Sequence, residues 1–222
     1  MHRPFFSIPC FAILLFVSHT LFASDTTAPW EPLKIIVIKA DLAPNKKEKG
    51  PLVKQALKLA GECVAQYPHE AGCYYYRGQA IGLHTESLLF GWQKEVRLMI
   101  ADWQKALSLD PKFDHGGPDR MLGELFTSLP KYFGTKEVRQ DIPKAASHLK
   151  TSIQIAPDYP TQQLDMAELL VDQKKWEEAN LYLKKAELLF PQCQNDPYYP
   201  GWQATFKTLN KQILKGDSHG KR

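Results

Sequence analysis

Apolar residues recur along this chain at steps of three and four, the spacing of an amphipathic helix. The pattern is clearest between Pro160 and Pro191. There, Met166, Ala167 and Leu170 share one face, and Ala179, Leu183, Ala186 and Phe190 share another. Between the two sets, Asp172-Gln173-Lys174-Lys175 is polar and suits a tight turn. Pro191 cannot continue a helix, so it ends the second one. The stretch predicts a helical hairpin with one apolar face that it cannot bury alone.

The same ending recurs upstream. Ala179, Leu183, Ala186 and Pro191 are matched by Ala145, Leu149, Ser152 and Pro157, by Met99, Trp103, Ala106 and Pro111, and by Ala56, Ala60, Cys63 and Pro68. The internal steps of four, three and five are identical in all four units, and the units lie 34 to 46 residues apart. A fixed spacing at such a distance predicts stacked helical pairs, each covering its neighbour's apolar face.

Other elements follow from local pattern. Leu33 to Ile38 is β-branched and could be a strand by propensity. No partner strand is visible elsewhere, and a lone apolar edge would aggregate, so a short helix on the first unit is expected. Asn45–Gly50 reads as a basic turn, and Leu52–Gln66 as the second helix of the first pair. Ala71–His84 reads as a helix carrying Tyr74, Tyr75 and Tyr76. Residues about 100° apart cannot all face one core, so at least one tyrosine should face a groove. Leu89, Trp92, Val96, Met99, Ile100 and Trp103 mark a long helix to Leu109, whose extra length would absorb the insertion in that unit. Gly116-Gly117-Pro118 opens the next helix sharply, with Pro118 suited to a first turn. Lys131–Gln140 reads as an inserted loop, and Asp141 as the cap of a helix running to about Ile155. Trp202, Phe206, Leu209 and Ile213 predict a C-terminal capping helix.

Composition narrows the class. At 222 residues, 44% hydrophobic and 23% charged, the chain is an ordinary globular protein. Mean hydropathy of −0.36 excludes a polytopic membrane protein. Residues 1–23 read as a secretory signal peptide. His2 and Arg3 precede the run Phe11–Val17, too short to span a bilayer, and Leu21-Phe22-Ala23 offers a cleavage site. Net charge is +4, and +3 without Met1–Ala23, which holds Arg3 and no acid. That is too small to argue for nucleic acid. The expected organisation is a signal peptide at 1–23, a linker and short helix at 24–45, a helical domain at 46–214 and a disordered tail at 215–222. The mature chain would meet an oxidising compartment, a bacterial periplasm, with no membrane span.

Cys63 and Cys73 end one helix and begin the next. They are either two buried thiols or a disulfide clipping adjacent units, worth about 2–3 kcal/mol for so short a loop. The bridge is the expectation, and Cys193 is left over. No Cys/His spacing suggests zinc.

No GxSxG, HExxH or EF-hand loop is present. The glycines after His115 lack phosphate-loop spacing. His115 is flanked by Asp114 and Asp119 without further ligands, which reads as a solvated loop histidine. Glu86, Glu95, Asp102 and Glu168 stand singly on helices and read as solvated faces. The chain is therefore expected to bind rather than catalyse, with no cofactor and no metal.

The repeated ending, small then large then small then proline, resembles the tetratricopeptide repeat. The 160–191 unit fits without insertion, with Gln163 where that family prefers Trp. The strings CYYYRGQAIGL at 73–83, IADWQKALSLDPKFDHGGPDRMLGELFTSLP at 100–130 and IAPDYPTQQLDMAELL at 155–170 narrow the likeness. They resemble the periplasmic T component of tripartite (TRAP) transporters and its secreted relatives, over roughly residues 63–191. The resemblance implies an all-α solenoid of about four helical hairpins plus a C-terminal capping helix. It also implies binding of a periplasmic protein or peptide along the inner face of the first helices, in a central pore or groove. The alternative it implies is an accessory subunit of a solute transport system, binding a small ligand or a solute receptor. In that register the groove-facing positions are Tyr75, Tyr76, Gln79, Leu83, Arg120, Glu124, Ser128, Asp165, Glu168 and Asp172. Tyr and Arg are the usual anchors of such contacts, although Arg120 could equally pair with Glu124, four residues on.

This register carries its own test. Ala179→Leu or Ala186→Leu should destabilise by about 1–3 kcal/mol through overpacking, and an unchanged thermal melt would place these residues elsewhere.

Overall fold

The computed structural model describes residues 27–220, with side chains described to residue 216. The segment read as a signal peptide lies outside the described residues. Every regular element among them is helical: α1 (Glu31–Asp41), α2 (Lys46–Gln66), α3 (Ala71–Thr85), α4 (Trp92–Leu109), α5 (Phe113–Ser128), α6 (Ile142–Ile155), α7 (Pro160–Asp172), α8 (Trp176–Leu189) and α9 (Tyr199–Gly220). Short 3-10 turns stand at Lys136–Val138 and Phe190–Gln192.

The helices pack as sequence-adjacent pairs, α1 with α2, α3 with α4, α5 with α6 and α7 with α8. The repeated pattern explains why. All its non-proline positions are buried, none more than 6% exposed. Each of the four prolines stands two residues past the end of its helix. A small residue on the first helix of a pair then admits a large one from the second. A Cβ built on Gly78 would lie 2.4 Å from the Trp103 indole, and one on Gly123 would lie 2.6 Å from Leu149. Trp103 also donates from Nε1 to the Tyr75 carbonyl at 3.1 Å.

The first helices neighbour one another. α1 touches α3, α3 touches α5, α5 touches α7 and α7 touches α9. They are thus covered on two sides, and α3 and α7 bury residues around much of their circumference. The second helices bury a single stripe, such as Ala145, Leu149 and Ser152 on α6, as expected where the far face meets water.

Several local expectations hold. Residues 31–41 are helical, and Leu33, Val37 and Ala40 form one buried stripe. Asp141 caps α6, its Oδ1 accepting from the Lys144 amide at 3.0 Å. Cys63 and Cys73 stand at disulfide distance, Cα–Cα 5.5 Å, and Cys193 is free. On α9, Trp202, Leu209 and Ile213 are buried, and Phe206 packs edge-on against Phe190 at 5.8 Å.

Others are corrected. Asn45–Gly50 is not a turn: α2 begins at Lys46, with Asn45 accepting from the Glu48 amide at 3.1 Å. Leu89 is not on a helix. Gly91 is left-handed at φ 79° and α4 starts after it, so the insertion in that unit is the loop at 86–91 and Leu89 is 87% exposed. Asp102 is not on a solvated face; it is 4% exposed and accepts from Arg77 Nε at 2.7 Å. Asp119 does not flank His115 in space; it is buried and 2.7 Å from His148 on α6. α9 continues past residue 214 to Gly220, where a disordered tail is expected from sequence. Contact of Gly216 with the Trp176 ring carries the helix onward.

Two glycines should separate packing from propensity. Gly61→Ala faces open space on α2 and should stabilise by about 0.5–1 kcal/mol. Gly78→Ala should destabilise by about 1–3 kcal/mol against Trp103. Urea denaturation of both variants checks this, and equal effects would refute the small-against-large packing.

Candidate functional site

The inner layer leaves a groove of about 740 Å³. Tyr75, Tyr76, Gln79 and Leu83 reach it from α3, Arg120, Glu124 and Ser128 from α5, and Asp165 and Glu168 from α7. Nine of the ten positions expected from the sequence therefore meet in one place. Asp172 does not line it; it is exposed at the end of α7.

A level of the groove is fixed by three polar side chains. Arg120 Nη2 donates to the Tyr75 hydroxyl at 3.3 Å, and Arg120 Nη1 lies 3.7 Å from Asp165 Oδ2. Tyr75 is in the second turn of α3, Asp165 in the second turn of α7, and Arg120 near the start of the regular part of α5. Matching positions at one level mean that α3, α5 and α7 run in the same direction. Their amino ends mark one end of the groove and their carboxyl ends the other.

The amino end is aromatic. Tyr75 is fully buried and Tyr76 is 3% exposed. They form a ring cluster with Phe113 and Trp30, with centroids 5.0–5.9 Å apart. Tyr74 turns away, its hydroxyl donating to the Pro68 carbonyl at 3.2 Å. The linker before α1 is therefore structural: the Trp30 ring lies over Gly72, where a Cβ would fall 2.3 Å away.

The glycine string before α5 builds this end. Asp114, His115 and Gly116 are left-handed, with φ 47°, 60° and 74°. Such residues cost of order 1 kcal/mol each outside glycine. The Gln162 side chain holds the turn, donating to the His115 carbonyl at 2.7 Å. Gly117 lies against the Tyr75 ring, where a Cβ would fall 2.6 Å from its oxygen. The turn swings Asp114 and His115 into the groove lining. His115 stacks on Tyr159 at 4.5 Å and 11°. The Tyr159 hydroxyl donates to Asp196 at 3.0 Å. Tyr198, just before α9, faces Asp41 at the end of α1, so the last and first elements meet beside the groove.

Tyr159, Tyr198, Trp202, Asp114 and Asp41 also line the groove and were not among the positions expected from sequence. All but Trp202 and Asp41 lie in turns, where no periodicity reports which way a side chain points. An aromatic residue next to a helix start is the faint signal they left.

Burial pushes the Tyr75 phenol well above its ordinary value, with Asp114 adding to it, and burial likewise raises Tyr76, Tyr159 and Tyr198. These hydroxyls stay protonated at neutral pH. Burial opposes the Arg120 charge, but Tyr75, Asp165, Glu124 and Asp114 outweigh it and hold the guanidinium above its usual value. Burial raises the Asp165 carboxyl, Glu124 raises it further, and Arg120 opposes the rise. Glu168 is raised by burial first, then by Glu124 and Asp172.

Arg120 makes the pair with Glu124 that sequence spacing allows, at 3.4 Å, and adds Asp165 from the next hairpin. Compared with known proteins, the chain matches no protein-family model and no curated protein.

The raised Glu168 value has a consequence for stability. The folded chain holds this proton to higher pH than the unfolded chain does, so stability falls as pH rises from the ordinary carboxylate range through the raised value. Glu168→Gln should therefore melt about 1–2 °C higher than the parent at neutral pH, solvent screening keeping the gain small. The two should melt together in acid below the ordinary glutamate range. Calorimetry across pH checks this, and a neutral-pH loss would refute it.

Proposed function

We propose that this chain is a secreted or periplasmic, tetratricopeptide-like helical solenoid that works by binding, and that its groove docks a partner protein or peptide. The observation that carries the reading is the convergence of nine groove positions from α3, α5 and α7 onto one cavity. The four-fold repeat of buried small and large residues supports the repeat assignment. A cysteine pair at disulfide distance is consistent with an oxidising compartment. No helix among the described residues is long and apolar enough to cross a membrane.

Tyr75 and Tyr76 act here as the wall of the site more than as exposed anchors, because both are core residues. The groups free to meet a partner are the half-buried Gln79 and the exposed Ser128, Glu124 and Glu168.

A second reading is a T-component-like accessory subunit of a solute transporter, docking a solute receptor or holding a small ligand. The groove's size favours it, since small-ligand sites run from about 300 to 1,000 Å³. The lining argues against an organic anion as that ligand, because its acids outnumber its cations.

Photo-crosslinking tests the docking site. A photoreactive residue at Gln79 or Ser128 should capture a polypeptide from a periplasmic extract of the native host. The same group at Lys184, on the exposed face of α8, should not. Equal capture at all three positions, or none at Gln79 and Ser128, would refute a groove-docked partner.

A further inference from the structure

The groove differs in charge from the chain that builds it. Asp41, Glu86, Asp114, Glu124, Asp165, Glu168 and Asp196 line it against two cations, Lys34 and Arg120, whereas the whole chain carries +4. Four of these acids are satisfied by the fold. Tyr159 donates to Asp196 at 3.0 Å and Lys49 to Glu86 at 2.9 Å. The Tyr198 hydroxyl faces Asp41, and the Tyr75 hydroxyl faces Asp114.

The remaining three are not. Glu124, Asp165 and Glu168 have Arg120 between them, 3.4 Å from Glu124 and 3.7 Å from Asp165. The Oδ2 atom of Asp165 is buried with no hydrogen-bond partner. The charged groups acting on Glu168 are Glu124 and Asp172, both acids. Three carboxylates share one guanidinium, and of them only Asp165 is largely withdrawn from water, its side chain 14% exposed, where an incompletely paired charge is costly. Glu124 and Glu168 each stand four residues before the ends of their helices, Ser128 and Asp172. This end is also the open one, with the Glu124 side chain 52% exposed.

We propose that the groove takes an extended peptide segment and places one of its Lys or Arg side chains among Glu124, Asp165 and Glu168. The inference rests on the docking reading above and adds the chemistry of the occupant. The cation supplies the charge that Arg120 leaves unmatched, and the segment's apolar side chains meet the half-buried Tyr159 and Tyr198 rings. A peptide is favoured over a free small cation because the lining extends from α1 to α9 and combines aromatic rings with acids along its length. The site keeps its acids at a cost to the free protein, the usual mark of a binding group held for a partner.

Fluorescence anisotropy on the full chain provides the test. The probes are short labelled peptides with the same apolar residues and with Lys/Arg, Gln or Glu at the polar positions, and spermidine as a free cation. The Lys/Arg peptide should bind about tenfold more tightly than the Gln or Glu peptide, a difference of about 1.4 kcal/mol. Asp165→Asn and Glu168→Gln should each weaken it about fivefold or more, with Glu168→Gln melting no lower than the parent. A general electrostatic pull cannot mimic this, because the chain as a whole is positive. Equal binding of the three peptides would overturn the cation preference and leave groove docking standing. Binding of none would overturn both. Spermidine binding as tightly as the Lys/Arg peptide would overturn the peptide as occupant.

Discussion

The Trp103 indole lies so close to Gly78 that one methyl group there would fall 2.4 Å from it. Leu149 approaches Gly123 in the same way in the next pair. These contacts set the distance between the two helices of a hairpin. They leave each first helix with its opposite side free, and that side is covered by the first helices before and after it. Each hairpin therefore shares its apolar surface with its neighbours.

The groove is a by-product of that stacking. First helices running in the same direction bring their amino ends together and their carboxyl ends together. Rings and glycines pack the amino end, where Trp30, Tyr75, Tyr76 and Phe113 interlock. Acids line the groove at both ends, Asp114 and Asp196 beside the rings and Glu124 and Glu168 further along α5 and α7. Arg120 stands between the two, bonded to a tyrosine on one side and near acids on the other. Its position couples three helices and leaves the acids only partly neutralised.

The costs are local and traceable. Two non-glycine residues, Asp114 and His115, adopt left-handed backbone ahead of α5. Their reward is the close seat of Gly117 on Tyr75 and the turn that faces His115 to Tyr159. The strained turn, the stacked pair and the Tyr198–Asp41 contact all lie around the same opening. Strain and an excess of acids therefore gather around the groove, with one further left-handed residue, Lys174, in the α7–α8 turn.

The periodic part of this protein was legible in its sequence. Repeated small, large, small and proline positions marked the buried stripes and the ends of α2, α4, α6 and α8, because one helical period obliges those side chains to share a face. The same register placed Tyr75, Arg120 and Asp165 on the inner side of their helices. What periodicity does not carry was decided only in three dimensions. Asp102 read as a solvated acid until α3 supplied Arg77, and Asp119 read as a flank of His115 until α6 supplied His148. Leu89 read as helical, but it precedes the left-handed Gly91 after which α4 starts. Tyr159 and Tyr198 entered the site from turns, whose direction depends on contacts between elements far apart in the chain. A helix's face follows from its own residues, but the charge balance of a groove depends on which helices the fold brings together.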